Sequence, residues 1–252
     1  MITVLVLGVA YRGFSYRPTA DQILQTTVKL NRNLTSLKGL VKTTILNELN
    51  DGGTIEIPEE IFMKEGGFFR SQRHYSEGDD IIIQSGRRSL AVVRHEADID
   101  DRRIDAVFPL IFFQPSVENL LDNLSFLGVD TTVVTFGRID KEVTFVIGNG
   151  SEKIPSSNVW IDKKRGFPLR FVGYIISEGK LNVLRAEYMK YTYVKKRFWF
   201  PSRIEYYRND KLWTVCTIED TVPIDELPAS LFEVSTDLNP CSPLVNFLNM
   251  KE

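Results

Sequence analysis

Histidine and cysteine are scarce here, two of each in 252 residues, and little chemistry can rest on them. His74 and His95 stand in neither a zinc nor a nucleophile spacing, and Gly-x-Ser-x-Gly and phosphate-loop patterns are absent. No catalytic residue, metal site or cofactor is therefore expected. A lipid-modifying enzyme would need an acid–base pair inside a cavity, for which His74 with a nearby carboxylate is the sole candidate. The stretch His95-Glu96-Ala97-Asp98-Ile99-Asp100-Asp101 lacks the Gly and distal Glu of a calcium loop and reads as a solvated acidic loop. A surplus of one charge is missing too: 31 basic against 33 acidic side chains give −2. Phosphate binding needs clustered Lys and Arg in excess, so no nucleic-acid partner is expected.

Nor does any apolar run reach the roughly 20 residues that span a bilayer. Met1–Ala10 has the greasiness of a signal-peptide core, but lacks the preceding basic residues and a small-x-small cleavage site. Residues 1–18 read as a truncated or misassigned export signal or N-terminal extension, with an ordinary strand as the alternative. Residues 19–238 are expected to form one domain and 239–252 a tail. Cys216 falls in a strand pattern and Cys241 in the tail phrase Asn239-Pro240-Cys241-Ser242-Pro243. A bridge between them would be worth about 3 kcal/mol in the chain-entropy model; two unbridged thiols are the alternative.

What the chain does have is strands. From Val159 to Val222, long aromatic-rich runs are broken by turn residues at Lys164–Gly166, Glu178–Lys180, Lys195–Arg197 and Asn209–Lys211, the pattern of an antiparallel meander. Upstream, Leu37–Leu49 and Thr54–Lys64 flank Asn50-Asp51-Gly52-Gly53, followed by Phe68–Tyr75, Asp80–Ile83 and Ser89–Glu96. Thr19 with Gln22 forms a capping box ahead of Ile23, Thr27, Leu30 and Leu34, predicting a helix over Ala20–Leu34. A helical insertion comes between the two strand sets. Val117–Leu127, capped by Ser116, carries Leu120 and Leu124; Arg102–Phe113 contains Pro109, which should kink or break it. The fold class is α+β and mostly antiparallel β, with about eleven strands whose concave side the helices cover.

The helix-first layout, the Glu77-Gly78-Asp79-Asp80-Ile81-Ile82-Ile83…Ser85-Gly86 hairpin and the Trp160-Ile161-Asp162…Gly166-Phe167-Pro168-Leu169-Arg170 segment resemble the LolA-like outer-membrane lipoprotein-sorting proteins. So does the ending, Trp199-Phe200-Pro201…Thr217-Ile218-Glu219-Asp220…Leu227-Pro228-Ala229-Ser230-Leu231-Phe232. The resemblance covers about Ala20 to Val234. It implies an unclosed half-barrel with a helical lid over an apolar cavity, and a periplasmic carrier without covalent chemistry. The implied cargo is lipoprotein acyl chains or a related lipid, taken from an inner-membrane donor complex to an outer-membrane acceptor by a monomeric protein. It also implies a basic strand residue bonded to the lid, for which Arg70 and Arg73 are both candidates. The sequence departs from the pattern at Ala91-Val92-Val93-Arg94, which lacks an aromatic residue after the Ser85-Gly86 turn. A lipid-sensing envelope-stress or scaffold protein on the same fold is the alternative reading.

The candidate ligand-binding set follows from the insertion and the aromatics: Val107, Phe108, Ile111, Phe112, Leu120, Leu124, Phe136, Trp160, Phe171, Trp199 and Trp213. A lipid's buried methylenes, about 0.8 kcal/mol each, could compete with Val107, Phe108, Ile111 and Phe112 for one cavity. Several strands carry bulky apolar residues in both alternation phases, so the sequence leaves open which phase faces inward. Finally, Lys163-Lys164-Arg165 and Lys195-Lys196-Arg197 occupy alternate turns of a meander and should share one rim. They read as solvated tips, or as a docking edge for an acidic partner or anionic membrane.

Overall fold

The computed structural model describes residues 17–32, 34–46, 53–92, 107–148, 156–177, 179–195 and 198–233. Helix α1 (Ala20–Asn31) starts at the capping box: the Gln22 N–H donates to Thr19 Oγ1 at 3.4 Å, and the Thr19 N–H donates to Gln22 Oε1 at 3.0 Å. It stops three residues short of the predicted Leu34, because Leu34 N–H turns back to the Asn31 carbonyl at 2.9 Å.

Five strands follow: β1 (Ser36–Leu46), β2 (Thr54–Lys64), β3 (Phe68–Tyr75), β4 (Gly78–Ser85) and β5 (Arg88–Val92). Then come α2 (Val107–Phe112) and α3 (Val117–Phe126). Seven strands complete the sheet: β6 (Val134–Ile139), β7 (Glu142–Ile147), β8 (Asn158–Asp162), β9 (Pro168–Ser177), β10 (Lys180–Val194), β11 (Phe198–Arg208) and β12 (Lys211–Pro223). A 3₁₀ turn spans Ala229–Phe232.

All twelve strands belong to one sheet in the order β5-β4-β3-β2-β1-β12-β11-β10-β9-β8-β7-β6, and every ladder is antiparallel. Two meanders are thus joined where β1 pairs with β12, and β5 and β6 remain as separate edges. The half-barrel is unclosed.

Pro109 does not break α2, contrary to the sequence expectation. It is the third residue of the helix, within the first turn, where a backbone N–H has no intrahelical partner to lose. The three helices lie on the concave face. Ile23 and Leu24 of α1, Val107, Phe108, Leu110, Ile111 and Phe112 of α2, and Leu120 and Leu124 of α3 share one buried cluster with Leu37, Met63, Phe69, Val159, Phe171, Leu184 and Tyr188 from the strands. The convex side is covered at one corner by the 3₁₀ turn, whose Phe232 packs edge-on to Phe68 at 5.7 Å beside buried Ile83 and Leu227.

Candidate functional site: the concave face and its helical plug

One alternation phase of each strand lines the concave face. In register across β12, β1, β2, β3 and β4 stand Ile218, Val41, Glu59, Arg73 and Asp80, so an apolar row turns polar towards the β4 side. Glu59, Arg73 and Asp80 are all buried. Glu59 accepts hydrogen bonds from Thr43 Oγ1 at 2.5 Å, from Arg73 Nε at 3.0 Å and from Ser71 Oγ. Burying a carboxylate costs several kcal/mol unless it is met this way, so this cluster is a fixed polar patch in an otherwise greasy trough. A cavity of about 30 Å³ lies beside it, bounded by Glu59, Val41, Phe69, Cys216 and Phe108.

The trough is filled by α2. Phe108 and Phe112 stack at 4.4 Å; Phe108 meets Tyr188 at 5.7 Å and Phe200 edge-on at 5.4 Å, while Phe112 meets Tyr188 at 5.0 Å. Val107, Ile111 and the α3 residues Leu120 and Leu124 are buried with them, as is Phe171. Among the described residues, the polar ties around this plug are Asn123 Nδ2 donating to the Leu110 carbonyl at 3.2 Å, Gln114 Nε2 to the Pro109 carbonyl at 2.9 Å, and Gly66 N–H to the Phe113 carbonyl at 3.1 Å.

The other predicted residues are dispersed. Phe136, near the β6 edge, is half exposed and pairs with Phe145 at 5.4 Å. Trp213 packs against the core's margin with the Arg208 guanidinium 5.3 Å over its ring. Trp160 does not reach the cavity. It sits between the inward-facing Val159 and Ile161, so it must point outward, where its Nε1 donates to Asn158 Oδ1 at 2.7 Å. Trp199 lies at the rim with Phe167 and Tyr193, at 5.3 and 5.0 Å. Of the two candidate arginines, Arg73 faces the concave side. Arg70 is one phase out, donating to the Leu231 carbonyl and to Gln72 Oε1 at 3.3 Å each; burial lowers its pKa despite Asp79. His74 shares that outward phase, half-buried against Asp79 at 3.0 Å, and so lies away from the cavity. Lys163, Lys164 and Arg165 form the β8–β9 turn and Lys195 opens the β10–β11 turn. Lys196, Arg197, His95 and Cys241 lie outside the described residues.

Aromatic residues occur in both phases because the outward rings are covered by long cations. Arg170 lies 5.1 Å over Trp160, Arg185 4.2 Å over Tyr207, and Lys38 5.2 Å over Phe62. Sequence reasoning missed the outward groove of about 860 Å³ that Arg170, Arg185 and Tyr207 help to line. In it Arg170 donates to Glu187 at 2.7 Å, and Glu205 accepts from Arg203 and Tyr207 at 2.7 and 2.6 Å. Burial raises the Glu187 pKa against the pull of Arg170, and the Glu205 hydrogen bond pushes the Tyr207 phenol up to about 12. Arg170 meets Glu187 across β9 and β10, while Arg203 and Tyr207 hold Glu205 along β11, so the groove reads as a set of structural charge pairs.

No protein-family model matches the sequence, and no curated protein matches it. Solved structures do match its shape. A LolA superfamily protein from Nitrosomonas europaea aligns over 86% of this chain and 99% of its own, with a TM-score of 0.54 and 13% identity. A domain described as an outer-membrane lipoprotein-sorting protein, from Vibrio parahaemolyticus, covers 84% and 95% at a TM-score of 0.50 and 11% identity. A DUF1329 family protein from Desulfovibrio piger covers 85% and 95% at 0.51 and 11%. The chain therefore has the LolA-like fold: an unclosed antiparallel half-barrel with helices over its concave face. Among the described residues, no helix is long and apolar enough to cross a membrane.

Proposed function

We propose that the protein is a non-enzymatic periplasmic carrier that shelters the acyl chains of a lipoprotein, or a related lipid, on its concave face. The observation that carries this reading is α2: six consecutive buried residues whose two phenylalanines occupy the centre of the trough, on a helix too short to be stable without its packing. Such an element is a removable apolar plug. A lipid chain offers the trough the same kind of surface, at roughly 25 cal/mol per Å² buried, and can exchange with α2 at little net cost. Cargo release is then driven by Val107, Phe108, Ile111 and Phe112 folding back.

The polar patch around Glu59 and Arg73 lies at the trough's side and leaves its centre to hydrocarbon. The described partners of Glu59 support a structural role more than chemistry, since three donors hold its carboxylate in place between β1 and β3. The test is the double substitution Phe108→Ser with Phe112→Ser. It weakens the plug and is expected to slow release of a preloaded fluorescent acyl ligand several-fold; release at the wild-type rate counts against the plug.

A further inference from the structure

Three separate segments bring positive charge to one end of the sheet. The β8–β9 turn presents Lys163 and Lys164, both exposed, and the start of the β10–β11 turn presents exposed Lys195. In an antiparallel meander these turns lie at the same end, since only the β9–β10 turn comes between them, at the other end. The last turn of α1 is fastened between the two tips. Thr27 Oγ1 donates to the Gly166 carbonyl at 2.9 Å, and the Trp199 N–H donates to Asn31 Oδ1 at 3.2 Å. This places exposed Lys29 and Arg32 on the same rim. Gly166 is essential to that approach: its φ is +77°, and a Cβ there would lie 2.5 Å from Thr26 Cγ2.

Part of the acidic charge at this end is already matched. Asp162 is committed to Arg165, accepting from its Nε and Nη2 at 2.9 and 2.6 Å. The neighbouring β6–β7 tip balances itself, with Arg138 and Lys141 against Asp140 and Glu142. Glu219 and Asp220 bound the rim across a shallow groove from Lys195. Lys29, Arg32, Lys163, Lys164 and Lys195 make no ion pair within 4.0 Å among the described residues. With a formal charge of −2 for the whole chain, this end is positive against a negative remainder.

Aromatic rings are set among these cations. Tyr193 is 51% exposed and lies 5.0 Å from Trp199, and Phe136 is 50% exposed with Lys163 Nζ 5.0 Å over its ring. An acidic protein would be served by the lysines alone. Half-exposed aromatic rings interleaved with lysines suit the headgroup layer of a bilayer, where the ring sinks and the ammonium stays among phosphates. We propose that this rim docks the protein onto an anionic phospholipid surface. The docking uses the outer end of the sheet and does not depend on the concave face taking up cargo.

The test is sedimentation of the full chain with vesicles of phosphatidylcholine alone, or of phosphatidylcholine with phosphatidylglycerol. Binding is expected with the anionic vesicles at low salt and is expected to fall away at high salt or without phosphatidylglycerol. The triple variant Lys163→Gln, Lys164→Gln, Lys195→Asn is expected to bind about 100-fold more weakly, and asparagine keeps the left-handed backbone that Lys195 adopts at φ +48°. Tyr193→Ser, at an exposed position that leaves the charge intact, is expected to weaken binding several-fold, a loss that persists as salt rises. The proposal is overturned if wild-type protein stays in the supernatant with anionic vesicles, or if the triple variant, folded by circular dichroism, sediments like wild type. It is equally overturned if the rim captures polyglutamate but not vesicles, which would make it a site for an acidic protein.

Discussion

Glu59 and Arg73 illustrate at the residue scale why a greasy trough keeps a charged corner. The carboxylate's three donors come from three different side chains, on β1 and β3, so the cluster ties β2 to the strands on either side of it. Replacing Arg73 by leucine leaves Glu59 buried beside Asp80 without its cation. The expected cost is about 3–5 kcal/mol in urea denaturation, whereas an exposed arginine such as Arg138 should cost well under 1 kcal/mol. Asp162 supplies the pH dependence. Burial pushes its pKa up, but the side-chain and backbone donors of Arg165 and the Lys164 N–H outweigh it and hold the carboxyl below its ordinary value of 3.8. Its folded pKa is depressed, so its stabilising contribution is present above the unfolded pKa and is lost as pH falls through the folded one. Asp162→Asn should therefore be less stable than wild type at neutral pH, with the gap narrowing on acidification below about pH 4. A gap independent of pH would show that the turn does not depend on the ionised carboxylate.

Elements differ in how firmly they are held. Strands such as β10 and β11 are long and central, with hydrogen-bonded partners on both sides. By contrast α2 has six residues, a proline in its first turn, and three described hydrogen bonds to neighbours at its margins. Local opening is expected where backbone hydrogen bonding is sparse and an element is short. In the ligand-free protein, amide exchange over 107–113 should therefore run ahead of exchange in β10 and β11. Equal exchange would mean that α2 opens only with global unfolding and is no plug. The element scale is also where the sequence was most legible. The capping box at Thr19, the Ser116 cap and the alternation in β2, β3 and β11 mark their elements directly. Pro109 misled, because its effect depends on where the helix starts, and tertiary contacts set that start. The end of α1 came out shorter because the chain turns back locally on Asn31, and the expected end of β1 lies outside the described residues.

For the whole molecule, the curved sheet with a helical cover could be read from the order of elements, but the direction each side chain faces could not. Trp160, Arg70 and His74 are all one residue from an inward-facing neighbour, and a shift of one reverses the face. Their phase is fixed by the register of their ladders, β3 with β2 and β4 and β8 with β7 and β9, and by which face the helices then cover. Bulky outward rings hid that phase further, since the cations that shield them lie on neighbouring strands. Carrier function requires that hydrocarbon can take the place of α2. Native mass spectrometry of the full chain mixed with a triacylated lipopeptide tests this most directly, with amide exchange over 107–113 followed on the same sample. A carrier should give a one-to-one adduct in which the α2 amides exchange faster than in the free protein while β10 and β11 remain protected. No adduct, or an adduct in which α2 is as protected as before, would contradict it.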